Sequence, residues 1–455
     1  MTALTIAVMT ACASVQTPDL KPDLPSQWRN ATPTEGGAAT PDLRGWWHAF
    51  GDSRLDALVD EALKTNLDLQ QAAERIRAAR LLARHSGDRF LPNLHARTND
   101  AIDPDASASF FIAGFDSTWE LGLFGAHKGA KRVAQGDLEN AEASLQGARV
   151  SLVAEVVRQW IQLRAAQQQE AVLQRTVDAQ AEQLRLLEVR QGLRLASTQD
   201  VAQARVAQAQ ARATLADPRK AINASAQQLA LLLGRSEPDA AWLEAGDLPQ
   251  LGELRVATAP ADLVRTRPEI VAAEANVLRS AGELGLTRAQ MYPNLQIGAA
   301  MQWSTDITSY RHTRSRGIVS LGPIIDIPLF DWGNRVAAAH AKGYELKAAV
   351  LAYRQAVLQG VAEAETAMGD LQQSSEREQA SIEAVTALRQ GADALQTRVG
   401  LKLASPLDAR QSQIESDHGE LALLQARVER DLAYVSLYKA LGGAPLPPHP
   451  AEGEH

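Results

Sequence analysis

The sequence predicts a mixed α+β membrane protein in which four strands and four long helices are laid down as two tandem copies of one unit. Three observations carry that prediction. Anchor segments recur at matched spacings along the 455 residues. Proline is missing from two long stretches, between Pro104 and Pro218 and between Pro328 and Pro406. Short segments beside those stretches alternate apolar and polar residues with a period of two, the pattern of strands that face lipid on one side. No stretch reaches the roughly 20 apolar residues that a spanning helix needs, so any membrane crossing falls to strands.

The chain opens on a short apolar run, Ala3 to Ala11, followed by Cys12, the single cysteine. This resembles a bacterial lipobox, which predicts a signal peptide over 1–11 and lipid attachment at Cys12. Met9 stands where leucine is usual and no basic segment precedes the run, so a longer leader upstream is expected. Ala13 suits outer-membrane sorting. A Pro-rich polar stretch then predicts an extended, lipid-anchored linker over 12–45.

The first unit is expected over 46–235, an equatorial connector over 236–262, the second unit over 263–442 and a disordered tail over 443–455. Asn66-Leu67-Asp68-Leu69 opens a helix that closes at Phe90-Leu91-Pro92-Asn93-Leu94. Arg267-Pro268-Glu269-Ile270 opens its counterpart, closing at Met291-Tyr292-Pro293-Asn294-Leu295. From Asp68 to Pro92, and again from Glu269 to Pro293, is 24 residues. Gly192-Leu193-Arg194-Leu195-Ala196-Ser197 matches Gly400-Leu401-Lys402-Leu403-Ala404-Ser405, and Leu233-Gly234 matches Leu441-Gly442. Both of these pairs lie 208 residues apart. Within each unit the order reads helix, two strands, a very long helix, a turn and a return helix. The long helices are expected from about Ala126 to Arg190 and from about Asn334 to Arg398; some 65 residues at 1.5 Å each give roughly 100 Å. Leu152, Val156, Trp160 and Leu163 form an apolar stripe at helical spacing. Pro218 should kink the first return helix or start a new one.

The strands alternate cleanly. Leu295, Ile297, Ala299, Met301 and Trp303 share one face, as do Val319, Leu321, Pro323, Ile325 and Ile327. In the first unit Phe111, Ala113, Phe115, Trp119, Leu121 and Leu123 do the same, with Ser117 the exception; Leu94 to Asp100 is a weaker strand. A half-buried soluble sheet would give the same alternation. If the strands span lipid, backbone pairing must be complete, which only a closed barrel achieves. Four strands cannot close one. Three chains would supply twelve, with twelve long helices continuing below.

Taken together, these residues resemble the TolC outer-membrane factor family, in its lipoprotein, NodT-like branch that serves RND-type efflux systems. The resemblance runs from Cys12 to Gly442. It is most specific at Trp46-Trp47-His48-Ala49-Phe50-Gly51-Asp52, at the twin Pro-Asn-Leu turns, at Trp119-Glu120-Leu121 with Leu123-Phe124-Gly125, and at Phe330-Asp331-Trp332-Gly333. It implies a homotrimeric, 12-stranded β-barrel in the outer membrane of a Gram-negative bacterium, continued by a periplasmic α-helical barrel. The implied partners are a periplasmic adaptor protein, an inner-membrane RND-type transporter and outer-membrane lipid. The implied role is passive conduction of small molecules, drugs or other toxic compounds, from the periplasmic tip to the exterior.

Matching the motifs places adaptor docking at Arg190, Gly192, Leu193, Arg194, Leu195 and Ser197. In the second unit it falls at Arg398, Gly400, Leu401, Lys402, Leu403 and Ser405. Physical reading agrees: glycine permits the turn, exposed leucine offers an apolar contact and serine caps the return helix. An ordinary helical hairpin turn would show the same residues. Asp408 and Asp200 match the family's acidic pore constriction, a ring that would favour cations. Gln411 replaces the arginine usual beyond the acid, leaving Arg410 or Arg194 as substitutes. Each Asp equally suits a solvated helix N-terminus. Gly122 replaces a usual Asp, and Ala126-His127-Lys128 a usual Arg.

Composition and motifs point away from other classes. The formal charge is -8 and no basic stripe appears, which argues against nucleic acid. No metal-ligand spacing, phosphate-binding glycine loop or nucleophile elbow occurs, so no catalytic residue, cofactor or metal is expected. Glu363 and Glu365 sit at i, i+2 on different helix faces and read as solvated or tunnel-lining. Arg311 to Arg316 reads as an exposed loop. Two rivals remain: the same duct serving type I protein secretion, and a non-porous coiled-coil scaffold lipoprotein.

Overall fold

A computed structural model describes residues 15–16, 18–20, 28–30, 43–101, 110–252, 267–306 and 315–446. Cys12, residues 253–262 of the connector and the 311–314 loop lie outside them. The helices are α1 (Ser53–Thr65), α2 (Leu67–Arg84), α3 (Ala126–Gly192), α4 (Thr198–Thr214), α5 (Ala216–Leu232), α6 (Ala240–Leu243), α7 (Pro268–Ala289), α8 (Asn334–Gly400) and α9 (Pro406–Ala440). The strands are β1 (Asn93–Ala101), β2 (Phe110–Glu120), β3 (Asn294–Asp306) and β4 (Ser315–Asp326). The long helices α3 and α8 have 67 residues each.

The chain forms two compact units. One comprises Met1–Pro22, Ala72–Ser144 and Glu269–Val357, and it holds all four strands. They form a single antiparallel sheet in the order β1-β2-β3-β4, so each copy contributes a hairpin and the copies join along β2 and β3. Leu295 pairs with Ile325, Met301 with Val319 and Phe115 with Met301, which fixes one apolar face across the sheet. Pro323 sits in β4, an edge of this sheet, where a missing N–H is tolerated. In the same unit α3 and α7 cross at glycines. A Cβ on Gly129 would lie 2.9 Å from the Gly282 carbonyl oxygen, and one on Gly136 2.8 Å from that of Ala275. Larger residues would push these backbones apart.

The other unit comprises Asp23–Gln71, Leu145–Pro268 and Leu358–His455. Leu152, Val156, Trp160 and Leu163 are all buried, as the stripe requires, but so are Val150, Val153, Val157, Ile161 and Arg164. Here α3 is therefore enclosed on most sides rather than along one narrow seam. Trp160 donates its indole N–H to Asp52 Oδ2 at 2.7 Å, and the other oxygen of Asp52 caps α1. The first return limb breaks at Leu215, and Pro218 is the third residue of α5, where its missing N–H removes no helical bond. The second return limb runs unbroken for 35 residues with Pro406 at its start.

Three segments assigned to linker, connector or tail are fastened in this unit. Trp28 is buried, and the backbone N–H groups of Arg29 and Asn30 donate to the Glu365 carboxylate at 2.7 and 3.0 Å. Trp242 O accepts from Gln167 Nε2, and Glu244 O accepts from the buried Arg164 guanidinium. The disordered tail expected from residue 443 is corrected over 443–446. There the carbonyls of Gly443, Ala444 and Pro445 accept from Trp46, Gln146 and Arg149. Backbone acceptors spent in this way leave that stretch ordered.

Candidate functional site

Two places carry the features that a conduit needs. The first is the sheet. Because directly paired residues share a face, Leu94, Phe115, Trp119, Met301, Val319, Leu321 and Ile325 lie together, and all are exposed, Val319 and Leu321 at 77%. A patch of this extent cannot rest against water without cost. The opposite face bears His95, Arg97, Asp116, Gln296 and Gln302, with an Arg97–Asp116 ion pair at 3.3 Å. Strand lengths of 9 to 13 residues match a tilted membrane crossing.

The junction from sheet to long helix is built alike in both copies. Phe124 and Trp332 adopt left-handed φ values of 54° and 58°, each followed by a left-handed glycine, Gly125 or Gly333. Trp332 is 90% exposed. Gly122, the departure from the family pattern, has φ +57°, and a Cβ there would meet the Phe90 ring at 2.6 Å. The same Phe90 ring packs on His127, centroids 5.2 Å apart. An aspartate at 122 would collide, so the two departures belong to one packing arrangement. Sequence reasoning missed the left-handed aromatics, which only the following glycine hinted at.

The second place is the pair of helical turns, both in the unit that contains the long helices' ends. Leu195 N–H donates to Arg190 O at 2.8 Å and Arg194 N–H to Gln191 O at 2.9 Å. Leu403 and Lys402 repeat those bonds to Arg398 and Val399 at 2.8 and 2.9 Å. This is the Schellman closure of a helix. The expectation that Gly192 and Gly400 permit the turn is corrected: they are the last helical residues, and the left-handed residues are Arg194 (φ 62°) and Lys402 (φ 61°). Such a conformation costs a non-glycine residue on the order of 1 kcal/mol. Leu193, Leu195, Leu401 and Leu403 are all about two-thirds exposed, at 65 or 66%.

Ser197 and Ser405 cap the return helices in full capping boxes, with Asp200 and Asp408 as the reciprocal acids. Asp200 Oδ2 accepts from the Ser197 N–H and hydroxyl, both at 2.8 Å, and these bonds hold its carboxyl below the usual range. Each acid therefore has a local structural task at its cap, and at Asp200 these bonds favour the charged form. Arg410, offered as a partner for Asp408, is exposed, and the nearby Glu182 is held below the usual carboxylate range chiefly by its hydrogen bonds from Arg185. Glu363 and Glu365 are not simply solvated: Glu363 accepts from the buried Arg267, and Glu365 grips residues 29 and 30. Farther from the turns, Glu420 on α9 joins Arg175 of α3 to Arg389 of α8. Nothing in the local sequence signals that triad.

A model of the outer membrane efflux protein family matches residues 58–235 and 259–443. The chain belongs to that family. It is a channel-family protein of the outer membrane and not an enzyme. The first matched segment lies within the first copy of the repeat and the second spans the second copy. Among its relatives is the pyoverdine export outer membrane protein OpmQ of Pseudomonas aeruginosa, 27% identical over 95% of this chain and 94% of that protein. Nodulation protein T of Rhizobium leguminosarum bv. viciae is 27% identical over 93% of this chain and 89% of that protein. Among solved structures, the outer-membrane channel OprN superposes with a TM-score of 0.82 at 27% identity, over 96% of this chain and all of that one. The open MtrE channel of Neisseria gonorrhoeae shares the fold at TM-score 0.79 and 23% identity, over 94% and 97%.

Proposed function

We propose that three copies of this chain form an outer-membrane duct that passively conducts small molecules, drugs or other toxic compounds, out of the periplasm. The observation that supports this most is the four-stranded sheet with one exposed apolar face, an opposite, more polar face that also holds Ile318 and Ile324, and two open edges, β1 and β4. An open edge is untenable in lipid, and closure by further copies removes it at twelve strands. The apolar face then meets hydrocarbon and the polar face lines water.

In this reading the turns at 190–197 and 398–405 dock a periplasmic adaptor, and an inner-membrane transporter of the RND type supplies the energy. Asp200 and Asp408, three copies of each, add negative charge near the entrance while capping their helices, and Arg410, two residues beyond Asp408, sits at the same constriction. Cys12 carries the lipid, after removal of residues 1–11. The export named for OpmQ and the efflux pump named for the TtgC relative of Pseudomonas putida favour this role over protein secretion. Native mass spectrometry of the solubilised chain and ethidium accumulation in a deletion strain test it together. Trimers, and accumulation that rises on deletion and falls on complementation, are expected. A monomer that restores nothing would overturn it.

A further inference from the structure

Each helical turn holds a long basic side chain at the one position where the backbone favours glycine. Arg194 and Lys402 both sit in the left-handed region, past the last turn of their helices. One turn earlier stand Arg190 and Arg398. All four are exposed, and none forms an ion pair among the described residues. The nearby carboxylates are engaged: Asp200 and Asp408 accept from Ser197 and Ser405, and Glu188 pairs with Arg205 at 2.8 Å.

Helix C-termini favour cations in the last turn, which accounts for Arg190 and Arg398. It does not account for residues 194 and 402, which lie outside the helix in a conformation that penalises any side chain. Arginine and lysine differ in shape and hydrogen-bonding pattern, so the property shared by the two copies is the positive charge. The result is a basic tip on a chain of net charge -8. Each tip presents two exposed leucines flanked by two exposed cations.

We propose that the two turns recognise an acidic protein surface, an apolar socket for the leucines rimmed by carboxylates that meet Arg194 and Lys402. This rests on the reading of the turns as a docking site and adds the chemistry of the partner. A protein is favoured over an anionic bilayer because neither turn, 191–197 or 399–405, carries an aromatic residue. Exposed tryptophans, the kind of side chain that favours a lipid interface, occur elsewhere in the chain at Trp119 and Trp332.

The test uses the full-length chain in detergent and two designed helical hairpins, identical except for glutamates or lysines around an alanine socket. Vesicles of phosphatidylglycerol and phosphatidylcholine form a third probe. The glutamate hairpin should bind at least about ten-fold tighter than the lysine one, a difference eroded between about 50 and about 300 mM salt. Arg194→Glu with Lys402→Glu should reverse the preference. Equal binding of the two hairpins, or a preference untouched by the reversal, overturns the proposal. So does vesicle binding stronger than that of the glutamate hairpin and lost on reversal, which would assign the cations to lipid. Leu193→Asp with Leu401→Asp separates the two layers of the argument in export assays. Export lost with the leucine variant but kept with the charge variant leaves docking standing and removes the acidic partner. Export kept with both removes docking itself.

Discussion

At residues 190–200 the first copy ends its long helix, turns and caps the next helix with the same bonds that the second copy uses at 398–408. Beyond the caps the two limbs diverge. The first breaks at Leu215 into α4 and α5, whereas α9 continues for 35 residues and buries two carboxylates, Asp417 and Asp431. A hairpin of this length thus tolerates quite different return limbs. The tip does not owe its sameness to hairpin stability, since a glycine at residue 194 or 402 would serve the turn at lower cost. In the proposed reading a shared docking role holds the tips alike, while the limbs vary with local packing.

The largest test of that contrast lies in the limbs. Trp160 and Met368 occupy equivalent positions, 208 residues apart, and both are buried. Trp160→Ala should cost about 4 kcal/mol in equilibrium unfolding, because it leaves a large cavity and strips Asp52 of a donor. Met368→Ala should cost about 2–3 kcal/mol. Equal losses would show that the limbs are energetically equivalent despite their different packing.

A smaller effect separates the limbs by pH. Burial pushes the Asp431 carboxyl from 3.8 up to about 6, against the pull of Arg430 and Arg427 on its own helix and with the push of Glu378 on α8. The folded chain therefore holds a proton between about pH 4 and 6 that the unfolded chain has lost. Ionised Asp431 costs stability, with the full cost above about pH 6 and none below about pH 4. Stability should rise as pH falls through this window, by at most about 3 kcal/mol from this group. Asp431→Asn should flatten that rise in denaturant titrations at several pH values. A rise that persists unchanged would remove Asp431 as its source.

The smallest effects test the sameness of the tips. Ser197→Ala and Ser405→Ala should each cost about 1 kcal/mol, and by equal amounts. Arg194→Gly and Lys402→Gly should each stabilise by no more than about 1 kcal/mol in thermal unfolding while weakening partner binding. If either substitution destabilises instead, the basic side chain contributes to the fold and not only to contact.

Much of this architecture was legible because it rests on periodic or punctuating residues. The Pro-free stretches, the alternation from Leu295 to Trp303 and the matched Gly-Leu-x-Leu-Ala-Ser turns each carry a local physical signature. The turn geometry itself was misread by two residues. Glycine marked the site, but the hydrogen-bond register of the helix end moves the left-handed residue to Arg194 and Lys402. The fastening of Gly443 to Pro445 by Trp46, Gln146 and Arg149 depends on side chains about 300 or more residues away in sequence, and backbone acceptors leave no mark on composition. Asp417 and Asp431 carry no sequence signal of their burial for the same reason: burial is a tertiary property, and α9 is polar enough to hide it.

Planar-bilayer conductance of the purified full-length chain tests the central claim most directly, measured beside a variant carrying Asp200→Ala and Asp408→Ala. The account predicts discrete, cation-preferring currents from the trimer, with the preference reduced in the variant. A folded, membrane-inserted protein that passes no current in either form would contradict it and turn the sheet into a lipid-facing anchor for a closed scaffold.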